Sequence, residues 1–233
     1  MISFSTAGSA CKKGGAAQKA LELLESMRCA ATEGEVKGSP APHLVTYATT
    51  IEALTESGRW EEALRFHESI PAELGTNEVV THAAVAAAAG GGDTERALSL
   101  LDAAAASGRT PRTASYNLAI GACAATGEAA TALATLRKLR EAGGRPSLLT
   151  YNGVLRVLAV AKRWRQAMRL VKQMKREGVR PTLISFNLAL DACAKGGAAE
   201  PAMELLELLR QEKLRPDVVS YTSAIAACGR SGE

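Results

Sequence analysis

The chain has 233 residues, 47% of them hydrophobic but only 4% aromatic, and its 28 basic and 24 acidic side chains leave a net charge of +4. That length fits one large domain or two small ones, and the abundance of alanine suits a helical protein packed on small side chains. No uncharged apolar run reaches about 18 residues, which excludes a membrane-spanning helix, and the mild excess of cations permits a polyanionic partner without requiring one.

At the N-terminus Met1 leads directly into Ile2-Ser3-Phe4, with no apolar signal core and no arginine-rich leader. Phe4 is the first of a series of aromatic or imidazole anchors. Tyr47, His82, Tyr116, Tyr151, Phe186 and Tyr221 follow at spacings of 43, 35, 34, 35, 35 and 35 residues. Alanines at 20, 63, 97, 132, 167 and 202 lie sixteen residues after their anchors, or fifteen in the third unit. The chain thus divides into units over 2–36 with an insert reaching 44, then 45–79, 80–113, 114–148, 149–183, 184–218 and a partial unit 219–233. The insert is expected near Glu33 to Pro40, and the residue missing from the third unit between His82 and Ala97.

Each unit predicts two helices. A hydroxyl residue precedes the anchor (Ser3, Thr46, Thr81, Ser115, Thr150, Ser185, Ser220) and is the expected N-cap of the first helix. Apolar residues at helical spacing follow, as in Tyr151, Val154, Leu155 and Leu158, and glycines such as Gly58, Gly127 and Gly197 end the helix. The second helix carries a stripe such as Ala167, Leu170, Val171 and Met174. It stops ahead of a proline (Pro42, Pro111, Pro146, Pro181, Pro216), with Asn77 taking that slot once. A lone hairpin cannot bury both apolar faces, so the expected fold is all-α: a right-handed α-solenoid of tandem helix-turn-helix repeats.

Cys11, Cys123, Cys193 and Cys228 occupy the tenth position of their units, where others have Leu54, Ala89 and Leu158. A slot that takes Leu, Ala and Cys alike is a packing slot, so buried free thiols are expected rather than bridges or metal ligands. No CxxC, HExxH, P-loop or GxSxG motif occurs, and the histidines and aspartates are scattered among units. No catalytic site, metal site or cofactor is expected.

The segment from Leu148 to Thr182, LLTYNGVLRVLAVAKRWRQAMRLVKQMKREGVRPT, resembles a pentatricopeptide repeat of the P type: a Thr-Tyr-Asn opening, then Ala, Met and a closing Gly-x-x-Pro. Six in-phase occurrences extend the resemblance over the whole chain; Lys162 and Lys213 replace glycines of the pattern, and His82 replaces its tyrosine. The resemblance implies single-stranded RNA as partner, one base per repeat, with the protein N-terminus toward the RNA 5′ end. It assigns base facing to the residue after each anchor: Ser5, Ala48, Ala83, Asn117, Asn152, Asn187 and Thr222. The partner of each is the residue after the proline slot, namely His43, Glu78, Arg112, Ser147, Thr182 and Asp217. Asn117/Ser147, Asn152/Thr182 and Asn187/Asp217 resemble pyrimidine readers, since Asn offers donor and acceptor on one short stem, and the family's pattern, Asn with Ser for C and Asn with Asp for U, implies a core 5′-C-Y-U-3′.

Base sandwiching falls by the same resemblance to Ala114, Leu149, Ile184 and Val219, together with Val45 and Val80. Lys13, Lys162, Lys195 and Arg230 stand near the ends of first helices, where phosphate contact competes with ordinary service to the helix dipole. The family also implies a chloroplast or mitochondrial setting. The alternative is a protein-binding scaffold, but a scaffold has no reason to repeat Asn at 35-residue intervals. The seventh unit stops at Glu233 before a second helix, so fraying over Val219–Glu233 or self-association through the uncovered end is expected.

Overall fold

A computed structural model describes residues 17–32, 42–71 and 74–231, and every regular element among them is a helix. In chain order these are α1 (Ala17–Thr32), α2 (Leu44–Glu56), α3 (Trp60–Glu68), α4 (Glu78–Gly90), α5 (Thr94–Ala106) and α6 (Thr113–Thr126). They continue with α7 (Ala129–Glu141), α8 (Leu148–Val160), α9 (Trp164–Arg176), α10 (Leu183–Gly196), α11 (Ala199–Gln211) and α12 (Val218–Ser231). None of the described helices is long and apolar enough to cross a membrane. The expected N-terminal helix around Phe4, Cys11 and Lys13, and the insert near Glu33 to Pro40, lie outside the described residues.

The chain forms two compact units, residues 1–119 and 120–233. In the first, α2 stacks on α4, and α3 and α5 flank them. In the second, α8, α10 and α12 stack in sequence while α9 and α11 pack into the steps between them. This is the arrangement that amphipathic hairpins need, because each hairpin buries its apolar stripe against its neighbours.

The packing slot is fully buried at Leu54, Ala88, Cys123, Leu158 and Cys193, each 0% exposed, whereas Cys228, expected there as a buried thiol, is only half-buried. Burial, reinforced by the Glu128 carboxylate, pushes the Cys123 thiol up to about 11, and burial with Glu204 pushes Cys193 up to about 12. Both therefore act as small apolar side chains, free of any disulfide. The anchors Tyr47, Tyr116, Tyr151 and Phe186 are buried beside them. Truncating such a side chain, as in Leu158→Ala, costs about 2–5 kcal/mol.

Polar links join successive hairpins. In the second unit Tyr151 hydroxyl donates to Glu177 and accepts from Arg140 at 3.0 Å, and Arg140 pairs with Glu177 at 2.9 Å. Burial first, and then the Glu177 hydrogen bond, push the Tyr151 phenol up to about 12. Glycines admit tryptophans at hairpin turns: a Cβ at Gly196 would lie 2.6 Å from Trp164 Cδ1, and one at Gly90 would lie 2.8 Å from Trp60 Nε1.

Two expectations are corrected. First helices are capped ahead of the hydroxyl: the N-caps His43, Ser147 and Thr182 lie three residues before it and Asn77 four residues before Thr81, each in extended backbone. The hydroxyl sits at the third helical position and closes a capping box, Ser147 with Thr150 and Thr182 with Ser185.

The missing residue is also placed elsewhere. N-cap carbonyls accept from Tyr47, Thr81, Tyr116, Tyr151, Phe186 and Tyr221, so Thr81 and not His82 takes the anchor position of its unit. The hairpin after Asn77 is complete. The shortfall lies upstream, where α3 has 9 residues against 13 in α5, α7, α9 and α11. The unit spanning 45–78 is thus the short one, and Ala88 rather than Ala89 fills the packing slot.

Candidate nucleic-acid interface

The first turns of the first helices carry the candidate residues. A proline precedes each cap position except Asn77, which follows Thr76; the next residue caps a first helix, and the chain then sets one apolar and one polar side chain a few positions apart. In the second unit the apolar member is solvent-facing each time: Leu149 is 67% exposed, Ile184 63% and Val219 55%. Val45 and Ala114 of the first unit are exposed as well, whereas Val80 is fully buried and Val79 takes the equivalent place.

The polar member is oriented by the following hairpin. Asn187 Nδ2 donates to Asp217 Oδ1 at 3.1 Å and Oδ2 at 3.3 Å, thirty residues on, so the expected pair is in contact. Ser220 Oγ lies 2.6 Å from Asn187 Oδ1 and 2.9 Å from Asp217 Oδ1, and it accepts from the Asp217 N–H at 3.2 Å. A carboxylate only accepts, so the amide nitrogen must face Asp217 and the amide oxygen must face the hydroxyl. Hydrogen bonds from the Ser220 N–H and hydroxyl, outweighing burial and joined by Asn187, hold the Asp217 carboxyl below its usual value. It is therefore a fixed acceptor at neutral pH.

Asn152 is held in the same way. Ser185 Oγ donates to its Oδ1 at 2.7 Å and accepts from the Thr182 N–H at 3.2 Å, so the pair Asn152/Thr182 is joined through one buried hydroxyl. Asn117 lies in the first compact unit and Ser147 in the second. Asn117 Oδ1 is buried without a hydrogen-bond partner among the described residues, and Ser147 caps α8. Thr222 is exposed and its hydroxyl donates to the Val218 carbonyl of its own helix at 2.7 Å.

The cations differ in freedom. Lys13 lies outside the described residues. Lys195 pairs with Asp191 at 2.7 Å, and Arg230 Nη1 donates to the Ala194 carbonyl at 2.7 Å, so each already has a protein partner. Lys162 is exposed at φ +57 and lines a depression with Arg163, Arg165 and Arg169 at the start of α9, a helix without a single acidic residue. Among the described residues no group of three or more His, Cys, Asp or Glu could hold a metal ion.

Sequence reasoning missed His82 and Asn77. His82 Nδ1 lies 2.9 Å from Ser115 Oγ, thirty-three residues on, the same offset as Asn152 to Ser185 and Asn187 to Ser220. His82 thus occupies the polar position, displacing Ala83, which is fully buried. Asn77 caps α4 through Oδ1 to the Val80 N–H at 2.9 Å and displaces Glu78 from the partner position. The signal available in the sequence was the interval from Asn77 to Asp93, which equals that from Ser147 to Arg163.

The model of the pentatricopeptide repeat domain family matches residues 99–160, 135–196 and 188–231, and a second model, of the PPR repeat, matches 45–72. No curated protein sequence matches the chain. Among solved structures, the pentatricopeptide repeat protein PPR10 in complex with an 18-nt psaJ RNA element is similar at TM-score 0.73 and 18% identity. That match covers 97% of this chain and 32% of that one. PPR10 from maize matches at TM-score 0.66 and 24% identity over 98% of this chain and 37% of that one. The PPR domain of Arabidopsis thaliana protein-only RNase P 1 in complex with tRNA matches at TM-score 0.55 and 20% identity, over 64% of this chain and 78% of that one. This chain therefore spans about a third of the PPR10 structures, and the likeness to them shows the α-solenoid fold.

Proposed function

Because the chain belongs to the pentatricopeptide repeat family, we propose that it binds single-stranded RNA along its first helices, one base to a hairpin, and selects pyrimidines through Asn117, Asn152 and Asn187. The observation that carries this reading is the pairing on one helical turn of an exposed aliphatic side chain with an amide held rigid from the next hairpin, at both Leu149/Asn152 and Ile184/Asn187. An exposed aliphatic at every such step has nothing to pack on within the fold, and a base stacked on it supplies the missing neighbour. The amide beside it then meets the base edge already oriented, so less side-chain freedom is lost on binding.

The pair partners differ in what they offer. Asp217 is acceptor-only and suits the N3–H of uracil; Ser147 and Thr182 carry hydroxyls that both donate and accept. By the family's pattern Asn with Ser favours C and Asn with Thr leaves the pyrimidine open, so the proposed core is 5′-C-Y-U-3′, with the protein running N-terminus toward the 5′ end. An organellar setting, chloroplast or mitochondrion, with a role in RNA processing, stability or translation, belongs to the same proposal and rests on the family alone.

Fluorescence anisotropy with a flanked 5′-C-C-U-3′ oligomer tests it against the same oligomer with purines at those three positions. The pyrimidine oligomer is expected to bind at least tenfold more tightly, with log affinity falling by about 0.7 per phosphate contact for each unit of log salt. Asn187→Ala is expected to reduce the preference for U at the third position roughly fivefold, the worth of about one net hydrogen bond. Equal affinity for the two oligomers would sink the proposal and leave the scaffold reading in its place.

A further inference from the structure

We infer that Lys162, Arg163, Arg165 and Arg169 form a second RNA-binding surface, which grips the phosphodiester backbone of nucleotides outside the base-reading row whatever their sequence; the inference rests on the RNA-binding reading above. All four are exposed and line one depression at the turn from α8 into α9. Along α9 the residues at 165, 169, 172 and 176 share one helical face, opposite the buried stripe of Ala167, Leu170, Val171 and Met174, and all four are basic.

The other hairpins show that the fold does not need this charge. Positions two before and two after the alanine of each second helix hold Glu61 and Arg65 in α3, Glu95 and Ser99 in α5, Ala130 and Ala134 in α7, and Glu200 and Glu204 in α11. At the turn into α3 a matching depression is lined by Arg59, Trp60, Glu61, Glu62 and Arg65, and there the charges cancel: Arg59 pairs with Glu62, and Arg65 with Glu61 at 3.7 Å. In α9 the carboxylates of the next hairpin take Lys172 and Lys175, through Glu204 and Glu212, while Lys162, Arg163, Arg165 and Arg169 make no ion pair among the described residues. Cations crowded into about two helical turns repel one another, and an external polyanion relieves that repulsion.

The arrangement favours a nucleic-acid strand over an acidic peptide. A strand carries a charge on every unit, so it meets the cluster in any register, whereas a peptide must place its carboxylates at matching intervals. Three of the four cations are arginines, whose planar fork suits phosphate oxygens. The Arg165 guanidinium is placed in advance: it lies 4.3 Å from the centre of the Trp164 ring, and that ring is seated against Gly196. The base-reading side chains Leu149 and Asn152 stand at the opposite end of α8, whose 13 residues span about 20 Å. A nucleotide stacked on Leu149 therefore does not reach the cluster. The surface takes flanking nucleotides, and phosphate contacts there add affinity without selectivity.

Anisotropy on the whole chain compares a short oligomer carrying the C-C-U core with the same core extended on either side by about ten adenosines. Extension is expected to tighten binding roughly tenfold and to steepen the salt dependence by about 0.7 for each added phosphate contact. Arg165→Ala with Arg169→Ala installs the side chains that α7 carries as Ala130 and Ala134, so the hairpin has a precedent for folding with them. That double variant should cut the gain to roughly threefold and lower the salt slope of the extended oligomer by about 1.4, with the short oligomer and its preference over purines unchanged. Lysine at both positions should retain most of the gain, and Arg65→Ala, at the neutralised counterpart, should leave it whole.

No gain on extension, or a gain that the double alanine variant keeps, overturns the second surface alone. Equal weakening of the short and extended oligomers places Arg165 and Arg169 on the read strand itself and likewise refutes it. Binding of an oligoglutamate peptide that the double variant loses, without any gain from extended RNA, assigns the surface to an acidic protein instead. Equal affinity of the unaltered chain for the C-C-U oligomer and its purine counterpart overturns the RNA-reading proposal beneath it.

Discussion

The Ser185 hydroxyl is fully buried, accepts the Thr182 N–H and donates to Asn152, so its removal leaves two polar groups without partners. Ser185→Ala is expected to cost about 1–3 kcal/mol and to lower the melting temperature by several degrees. It should also flatten base preference at the central pyrimidine, because Asn152 is no longer aimed; melting curves and anisotropy on the same variant check both effects. A stable variant with unchanged preference would show that Asn152 is oriented by something else. At this scale the sequence was informative where the period ran unbroken: Asn152, Asn187 and Asp217 stood out because their chemistry repeats at a fixed interval. His82 was hidden by its own ring, which stands among the tyrosines and phenylalanines of the anchor series and so took their place by default.

At the scale of helices, hairpins and capping were legible from the period-3.6 stripes and the Gly and Pro stops. The exact start was not. A hydroxyl at the third helical position and one at the N-cap look alike in a sequence, and only the backbone tells that Ser147 and Thr182 are extended. The shortening of α3 escaped for a similar reason: a residue lost from a second helix and one lost from the next first helix give the same anchor spacing. Helix ends also hold a conflict at Lys162, which adopts φ +57 where its counterparts Gly58, Gly92, Gly127 and Gly197 pay no penalty for a Cβ. Lys162→Gly should raise stability by about 1 kcal/mol while weakening RNA and reducing the salt slope by about 0.7. A variant more stable yet unchanged in affinity would remove Lys162 from the list of phosphate contacts.

Across the molecule the two compact units differ in what they bury. In α4 the buried face is largely alanine (Ala83, Ala84, Ala87, Ala88), whereas α8 buries Val154, Leu155, Val157 and Leu158. At roughly 0.8 kcal/mol for each buried CH₂ the second unit has the larger apolar stabilisation per hairpin. Repeat arrays open locally, so amides in α4 and α5 should exchange faster than those in α8 to α10 in native-state hydrogen exchange, and equal or reversed rates would contradict this ordering. Helix closure and partner choice also meet in a single residue along the array, since Ser147, Thr182 and Asp217 each cap a helix from the partner position. The vocabulary open to that position is therefore narrow. Ser, Thr, Asp, Asn and, as His43 shows, His can be exchanged there with little loss of order, and a residue without a side-chain acceptor loosens the helix it introduces.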